Sequence, residues 1–198
     1  MCSLAGAIVP SLFMVIGVIS DTHGLLRPEA VSALQGSDRI IHAGDVGAPE
    51  VLTALAAVAP VTAVRGNNDH GTWAKAIATT EVVDADGVLI YVIHDVKELD
   101  LDPAAGGFRV VVSGHSHRPS QETRDGVLWF NPGSAGPRRF QLPVAVGIYL
   151  AQNAATNCRA GSNSAALRSF TSTAASHFGP CLPPMVLSKL SSSPVGTM

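Results

Sequence analysis

Residues 15–24 read Val-Ile-Gly-Val-Ile-Ser-Asp-Thr-His-Gly, an apolar run that leads directly into an acid and an imidazole. The run is continuous and rich in β-branched residues, which is typical of a strand covered on both faces. Working outward, the pattern predicts further buried strands at 38–42 and 61–64, separated by helices at 28–34 and 49–58 that each begin with an early proline. This alternation predicts a parallel sheet with right-handed crossovers.

The second half of the chain changes to short strands with few helices. Strands are predicted at 81–83, 88–93, 109–113, 121–123, 127–130 and 144–150. Residues 84–87, Asp-Ala-Asp-Gly, give a β-hairpin signal between the first two of these strands. The chain is therefore predicted to be an α/β protein in which a second, mixed sheet packs on the first.

The 198 residues suffice for one domain with a sizeable core. We expect residues 14–150 to form this domain and residues 1–13 to be a non-structural extension, with Met14 as a candidate start of the folded unit. A signal peptide or membrane anchor at residues 1–20 is disfavoured, because no basic residue precedes the apolar run and Pro10 interrupts it. Ser, Ala and Thr supply 21 of the 48 residues in the tail, 151–198, so we expect little fixed structure there.

Charge and cysteine content narrow the classes of function. Residues 1–150 carry 15 acidic and 10 basic side chains, a net charge of −5, which disfavours non-specific binding to nucleic acids and suits a pocket that collects divalent cations. Cys2, Cys158 and Cys181 form no CxxC pair, so neither a disulfide framework nor a zinc ribbon is indicated. We expect a cytoplasmic protein with no membrane partner, and a homo-oligomer is left open.

Metal-binding residue types follow five of the predicted strands directly. They are Asp21, His23, Asp45, Asn67, His94, His115 and His117. In open α/β sheets ligands bind at the carboxyl ends of the strands, so we expect these side chains to converge. Two carboxylates, one amide and four imidazoles without a thiolate favour Mn²⁺, Fe, Zn²⁺, Co²⁺ or Ni²⁺ over Ca²⁺. Seven ligands exceed what one ion can use, whereas two ions that share a carboxylate would use them all.

Each segment alone has an ordinary explanation. Asp-x-His can be a cap, Gly-Asn-Asn-Asp a turn, and His-x-His a pair on an edge strand. What favours a metal site is the ordered set, in which each member follows its own strand. We expect His42 to pack against or orient Asp45, and Asp69 to orient a neighbouring His or Asn. His70 is expected to be a surface histidine.

Four segments resemble the signature of the calcineurin-like metallophosphoesterase superfamily. They are Ile-Ser-Asp-Thr-His-Gly at 19–24, His-Ala-Gly-Asp at 42–45, Arg-Gly-Asn-Asn-Asp at 65–69 and Ser-Gly-His-Ser-His at 113–117. The short length and Asn-Pro-Gly-Ser at 131–134 resemble its YfcE-type small phosphodiesterase branch. The resemblance implies a four-layer α/β/β/α sandwich of two mixed β-sheets, with the site at the strand ends.

The resemblance also implies roles for the residues. One metal would be held by Asp21, His23 and His117. The other would be held by Asn67, His94 and His115, with Asp45 bridging. Asp45, Asn67 and His94 would also take part in catalysis, which would be phosphodiester hydrolysis through a bridging hydroxide. Two divalent ions are implied, with Mn²⁺ favoured and Ni²⁺, Zn²⁺, Fe or Co²⁺ as alternatives.

Two positions depart from the family pattern. Asp95 stands where this branch often has glycine; it could contact the ring of His94 or a metal-bound water, but we expect it to start the next loop. Asn68 stands where larger members have a histidine acid, so the leaving group would be unassisted unless His70 or a water on the second metal substitutes. The alternative function is a non-catalytic protein-interaction scaffold of the same fold, like the retromer subunit. A third reading is a single-metal hydrolase or storage site. The seven intact ligand positions favour catalysis.

Overall fold

Two five-stranded sheets form the part of the chain that the computed structural model describes, residues 13–138, 141–152 and 185–190. The strands are β1 Phe13–Ile19, β2 Arg39–His42, β3 Val61–Ala63, β4 Thr80–Ala85, β5 Val88–Ile93, β6 Val110–Val112, β7 Ser120–Arg124, β8 Val127–Asn131, β9 Ala145–Gln152 and β10 Met185–Lys189. The helices are α1 Pro28–Ala33, α2 Pro49–Ala56 and α3 Thr72–Lys75, with a 3₁₀ helix at Val96–Glu98. Within these residues, no helix has both the length and the apolar character needed to cross a membrane.

The first sheet has the strand order β10-β9-β1-β2-β3. Its strands β1, β2 and β3 run parallel, as the alternating pattern predicts, whereas β9 pairs antiparallel with β1. Helices α1 and α2 cover one face of this sheet, with Leu34 and Leu55 fully buried in the contact. Gly17 of β1 permits close packing there, because a Cβ at this position would lie 2.6 Å from Leu34 Cδ2. The parallel strands therefore end at one edge of a sheet that the helices hold in place.

The second sheet has the order β4-β5-β6-β8-β7 and is mixed, as predicted. It packs face to face on the first sheet around a buried apolar core that includes Val18, Ile41, Val112 and Phe130. Its outer face is covered by the loop that follows the 3₁₀ helix, through Leu99, Leu101 and Phe108. The α/β sandwich of two mixed sheets is confirmed.

The main differences from the predicted elements are two short segments. Helix α3 was not predicted, and Met185–Lys189 forms the edge strand β10 on β9, where we expected little fixed structure. A run as short as Met-Val-Leu gives a weak local signal, since strand formation depends strongly on the neighbouring strand. Residues 1–12, 139–140, 153–184 and 191–198 lie outside the described residues, as do all three cysteines. The domain boundaries remain predictions.

Candidate metal centre

The loops that follow β1, β2 and β6 carry an unusual backbone conformation. Five of the seven candidate ligands have φ between 47° and 64°. They are Asp21, His23, Asp45, His115 and His117. Non-glycine residues seldom adopt this left-handed region, and when they do it is usually at a turn or a functional site. The other two such residues in the described chain, Asp86 and Asp125, lie in β-hairpin turns, so the remaining five mark the strand ends where the side chains converge.

Asp21, His23 and His117 form the first group of donors. Asp21 is fully buried, and its Oδ2 accepts hydrogen bonds from Ser20 Oγ at 2.7 Å and from the His115 backbone N–H at 3.1 Å. Its Oδ1 has no hydrogen bond among the described residues and lies 3.3 Å from His117 Nε2. The Nε2 atoms of His23 and His117 are 3.3 Å apart, with the rings stacked. A buried carboxylate oxygen thus faces two imidazole nitrogens.

Asn67, His94 and His115 form the second group. Asn67 Oδ1 lies 3.1 Å from His94 Nε2 and 3.0 Å from His115 Nδ1. Asp45 lies between the two groups, since its Oδ1 is 3.4 Å from His94 Nε2 and its Oδ2 is 3.8 Å from His23 Nε2. The structure therefore brings all seven candidate ligands into one cluster.

Two subsets of this cluster have the spacing of a cation site. The donor atoms of Asp21, His23 and His117 all lie within 4.8 Å of one another. The donor atoms of Asp21, Asp45 and His94 do so as well. Because both subsets contain Asp21, the two acidic residues and their imidazole partners are one connected set of ligands.

The two carboxylates differ in their electrostatic surroundings. Burial raises the pKa of Asp21 to about 6, because hydrogen bonds compensate its charge only in part. Burial would also raise the pKa of Asp45, but hydrogen bonds from His94 and Asn68 outweigh it and hold that pKa well below its usual range. Burial opposes protonation of His94, yet its contact with Asp45 raises the pKa of the ring. Of the two carboxylates, Asp21 is therefore the one whose charge is less fully compensated.

Two glycines allow the loops to approach this closely. A Cβ at Gly66 would overlap the backbone and carboxylate of Asp45. A Cβ at Gly114 would overlap Ser20 Oγ, which is the donor to Asp21. Because they lack a Cβ, the glycines next to Asn67 and His115 leave room for the carboxylates of Asp45 and Asp21.

Residues 14–153 match the model of the calcineurin-like phosphoesterase superfamily domain. The chain belongs to this superfamily. It is similar to a protein of Methanothermobacter thermautotrophicus named a probable metallophosphoesterase, with 35% identity over 142 residues that cover 66% of this chain and 82% of the relative.

Solved structures of the superfamily fold agree with this assignment. One is described as a novel archaeal phosphodiesterase, with a TM-score of 0.59, 28% identity, and coverage of 69% of this chain and 93% of that one. Another is vacuolar protein sorting 29 from Cryptosporidium parvum, with a TM-score of 0.62, 18% identity, and coverage of 71% and 86%. At that identity, the second similarity shows the fold alone.

The residues at the centre of this calcineurin-like phosphoesterase fit divalent cations. Asp21 Oδ1 is a buried carboxylate oxygen without a hydrogen bond among the described residues, and imidazole nitrogens lie close to it. Burying such an oxygen raises the free energy of the folded state unless a proton or a cation compensates its charge. The donors are carboxylate, amide and imidazole, which suit transition metals better than Ca²⁺. The phosphoesterase is thus equipped for the metal dependence of its family.

His42 has a different contact from the one expected. Its Nε2 lies 2.9 Å from Thr22 Oγ1, and the Thr22 hydroxyl donates to the Val46 carbonyl at 2.9 Å. Because that hydroxyl has one proton, it must accept from the His42 ring, whose proton is then on Nε2. His42 is fully buried, so it packs as expected, but its ring contacts Thr22 and not Asp45, and it fixes the residue between Asp21 and His23.

Asp69 also differs from expectation. Its Oδ1 accepts from the Gly47 backbone N–H at 2.7 Å, and its Oδ2 accepts from the Gly66 backbone N–H at 2.8 Å. We expected it to orient a His or Asn side chain, which is wrong. Asp69 ties the loop after β2 to the loop after β3, so it sets the distance between their ligands.

Asn68 and Ser20 have roles in the site that the sequence analysis did not predict. The Asn68 backbone N–H donates to Asp45 Oδ1 at 2.8 Å, and its Nδ2 donates to Asp45 Oδ2 at 2.7 Å. Asn68 therefore holds both oxygens of Asp45, and Ser20 holds one oxygen of Asp21. The available signal was their position next to a ligand within the motifs.

The turn at 131–134 supports the loop after β6. Asn131 Oδ1 accepts from the Gly133 backbone N–H at 2.8 Å, which closes the turn. Asn131 Nδ2 donates to the Gly114 carbonyl at 2.6 Å and to Ser116 Oγ at 3.2 Å. The turn also reaches the first loop, because Ser134 Oγ donates to the Asp21 carbonyl at 2.9 Å.

Asp95 starts the next segment, as expected, and has a second contact. Its Oδ1 accepts from the Lys97 backbone N–H at 3.0 Å, which caps the 3₁₀ helix. Its Oδ2 lies 3.6 Å from Nε2 of His115. The side chain of His115 is 40% exposed, compared with 6% for His94 and 8% for His117. Asp95 thus contacts the most exposed of the candidate imidazole ligands.

Proposed function

We propose that this calcineurin-like phosphoesterase is a phosphodiesterase that uses two divalent metal ions to hydrolyse small-molecule phosphate diesters. The observation that carries the proposal is the position of Asp45, whose two oxygens lie 3.4 Å from His94 Nε2 and 3.8 Å from His23 Nε2. One carboxylate thus lies between two groups of donors. Asp21, His23 and His117 would hold one ion, and Asn67, His94 and His115 the other.

Mn²⁺ is the ion that we propose, because a mixed carboxylate, amide and imidazole set suits it. When bound, such ions supply positive charge for the phosphate oxygens and a nucleophile at neutral pH. The residues of the chain hold the ligands in place: Asn68 fixes the carboxylate of Asp45, and Ser20 fixes that of Asp21. Asp45, Asn67 and His94 are the proposed catalytic ligands.

The type of leaving group that this site favours depends on Asn68, which stands where a proton donor would be needed. Its Nδ2 donates to Asp45, and an amide cannot give up a proton at neutral pH. Diesters with acidic leaving groups, such as aryl or nucleotide esters, need less help from an acid. We therefore propose that the enzyme is more active on these than on alkyl esters.

A non-catalytic scaffold is the less favoured reading of the same fold. The similarity to vacuolar protein sorting 29 is one of fold, whereas the archaeal neighbour is described as a phosphodiesterase. All seven donor positions carry metal-binding side chains here. We propose that the enzyme acts in the cytoplasm on small molecules, without non-specific binding to nucleic acids.

Hydrolysis of bis-p-nitrophenyl phosphate by the purified full chain, with and without Mn²⁺, tests the proposal. We expect Mn²⁺-dependent release of nitrophenolate, faster than from the monoester p-nitrophenyl phosphate, and loss of activity in Asp45→Asn. Asp100→Asn, at an exposed acid outside the centre, is the matched control and should keep the activity. Absence of both metal binding and turnover would favour the scaffold.

A further inference from the structure

A cleft of about 350 Å³ opens beside the metal centre. It begins at Asn67, one of the candidate ligands, and extends to Lys75 at the end of α3. Arg65 and His70 also line it. The proposed chemistry at the metal centre does not use these three side chains. Because the cleft shares Asn67 with the centre, a substrate bound there can extend into it.

The charges in this cleft are mainly positive. Arg65 is half-buried and Lys75 is exposed, and neither forms an ion pair with any other described residue. Asp69 is the one carboxylate in the lining, and it is only 5% exposed. Both of its oxygens accept backbone N–H groups, from Gly47 and Gly66. The surface that a ligand meets therefore carries two cations and no exposed carboxylate.

The positive charge of this cleft is opposite in sign to the net charge of residues 1–150. Residues 1–150 have a net charge of −5, so acidic partners for cations are abundant in the sequence. Even so, Arg65 and Lys75 lie together in one cleft without such a partner among the described residues. Unpaired cations that face a concave surface favour an anion, and the planar guanidinium of arginine suits phosphate or carboxylate.

We propose that the cleft is a subsite for a second anionic group of the substrate, a phosphate or a carboxylate. The preferred substrates would be phosphodiesters in which one substituent carries an additional negative charge. This inference rests on the proposed diesterase function of the adjacent centre. It adds the class of substituent that the enzyme selects. An uncharged cleft of the same shape would select on size alone.

Two substrates that differ in one phosphate test the subsite. They are the p-nitrophenyl ester of thymidine 5′-phosphate and the same compound with a 3′-phosphate. We expect the wild-type, Mn²⁺-loaded full chain to have a higher kcat/KM on the second compound. Arg65→Gln and Lys75→Gln should each reduce this preference by about fivefold to tenfold, mainly through KM, since each removes one contact to a charged group.

The controls are Arg39→Gln and Lys97→Gln. Arg39 is half-buried like Arg65 but lies at the start of β2, and Lys97 is exposed like Lys75 but does not line the cleft. Both should keep the wild-type preference. Equal kcat/KM for the two substrates in the wild type, or an undiminished preference in both cleft variants, would overturn the subsite.

A binding measurement separates the subsite from the diesterase function. Calorimetry with thymidine 5′-phosphate and thymidine 3′,5′-bisphosphate needs no turnover. If the chain hydrolyses neither ester but binds the bisphosphate more tightly, and Lys75→Gln removes the difference, the subsite stands and the diesterase proposal fails. Equal affinity for the two nucleotides would count against the subsite whatever the activity.

Discussion

Nε2 of His115 lies 3.6 Å from Oδ2 of Asp95, while Nδ1 of the same ring lies 3.0 Å from Asn67 Oδ1. The ring of His115 is thus held from both nitrogens. In metal proteins, a carboxylate on the far nitrogen of a ligand histidine fixes its tautomer and orientation. His115 has the greatest need of such a partner, because it is the most exposed of the four imidazoles.

The variant Asp95→Asn tests this contact without removing the cap of the 3₁₀ helix. Asparagine can still accept from the Lys97 backbone N–H through its amide oxygen. Its NH₂ group then faces the His115 ring, and this group cannot accept a hydrogen bond from the ring as the carboxylate does. We expect the affinity for the second Mn²⁺ to fall by about 10-fold to 100-fold. Competition with a chromophoric chelator measures it, and the thermal stability of the metal-free protein should stay the same.

Asp100→Asn serves as the control for Asp95→Asn, since it removes an exposed carboxylate from the same loop. It should leave both metal affinities at their wild-type values. If Asp95→Asn and Asp100→Asn lower the affinity for Mn²⁺ equally, the cause is the loss of one negative charge, and the specific contact with His115 is not responsible.

Gly66→Ala should weaken metal binding and also lower the stability of the fold, because the added Cβ overlaps the backbone of Asp45 as well as its carboxylate. Its Cβ would overlap Asp45, so the carboxylate must shift from its place between the two groups of donors. We expect at least a tenfold loss of metal affinity by calorimetry. Gly36→Ala is the comparison, because no atom lies within 4 Å of the added Cβ although φ is +81°. That variant should lower stability by about 1 kcal/mol from backbone strain and leave metal binding intact.

Asp21→Asn should stabilise the metal-free protein at neutral pH. Burial raises the pKa of Asp21 from 3.8 to about 6, so the folded state binds this proton more tightly than the unfolded state. The stability that this proton contributes is complete below pH 4 and is lost as the pH rises through 6. At pH 7.5 the variant should melt about 5 °C above the wild type in the presence of a chelator, and at pH 4 the two should be similar.

Added Mn²⁺ should reverse the order of the two melting temperatures, so that the wild type melts above Asp21→Asn. Mn²⁺ compensates the buried charge of Asp21 in the wild type, so its melting temperature should rise with metal concentration. Asp21→Asn lacks that carboxylate and should respond little. A wild-type melting temperature that is independent of both pH and Mn²⁺ would contradict the view that the charge of this carboxylate is only partly compensated.

Asn131→Ala tests the support of the loop after β6. The change leaves the Gly114 carbonyl without its 2.6 Å donor and opens the turn at Gly133. We expect a loss of about 1–3 kcal/mol in the free energy of unfolding, because the contacts are buried. Denaturant titration measures this loss. Ser120→Ala, at an exposed position of the neighbouring strand β7, should change stability by less than about 0.5 kcal/mol.

The strand ends were predictable from the sequence because hydrophobic runs mark them. The prediction for 88–93 matches β5, and His94 follows it directly. The same rule predicted that the seven ligands converge. The roles of Asn68 and Asp69 could not be predicted, since their hydrogen bonds depend on how two loops approach each other in space. Strand β10 depends on an existing neighbour, β9, and its own residues do not specify it.

The left-handed backbone at five of the ligands has a consequence for how the protein acquires its ions. An unfolded or disordered loop would rarely hold these residues with positive φ, so the conformation must come from the hydrogen bonds and glycine contacts around them. Because the chain itself makes those contacts, we expect the ligands to keep these positions without ions, in contrast to a zinc finger that folds only around its ion. Metal exchange should accordingly proceed without unfolding. Removal of the ions by a chelator should leave the native far-ultraviolet circular dichroism and be fully reversible.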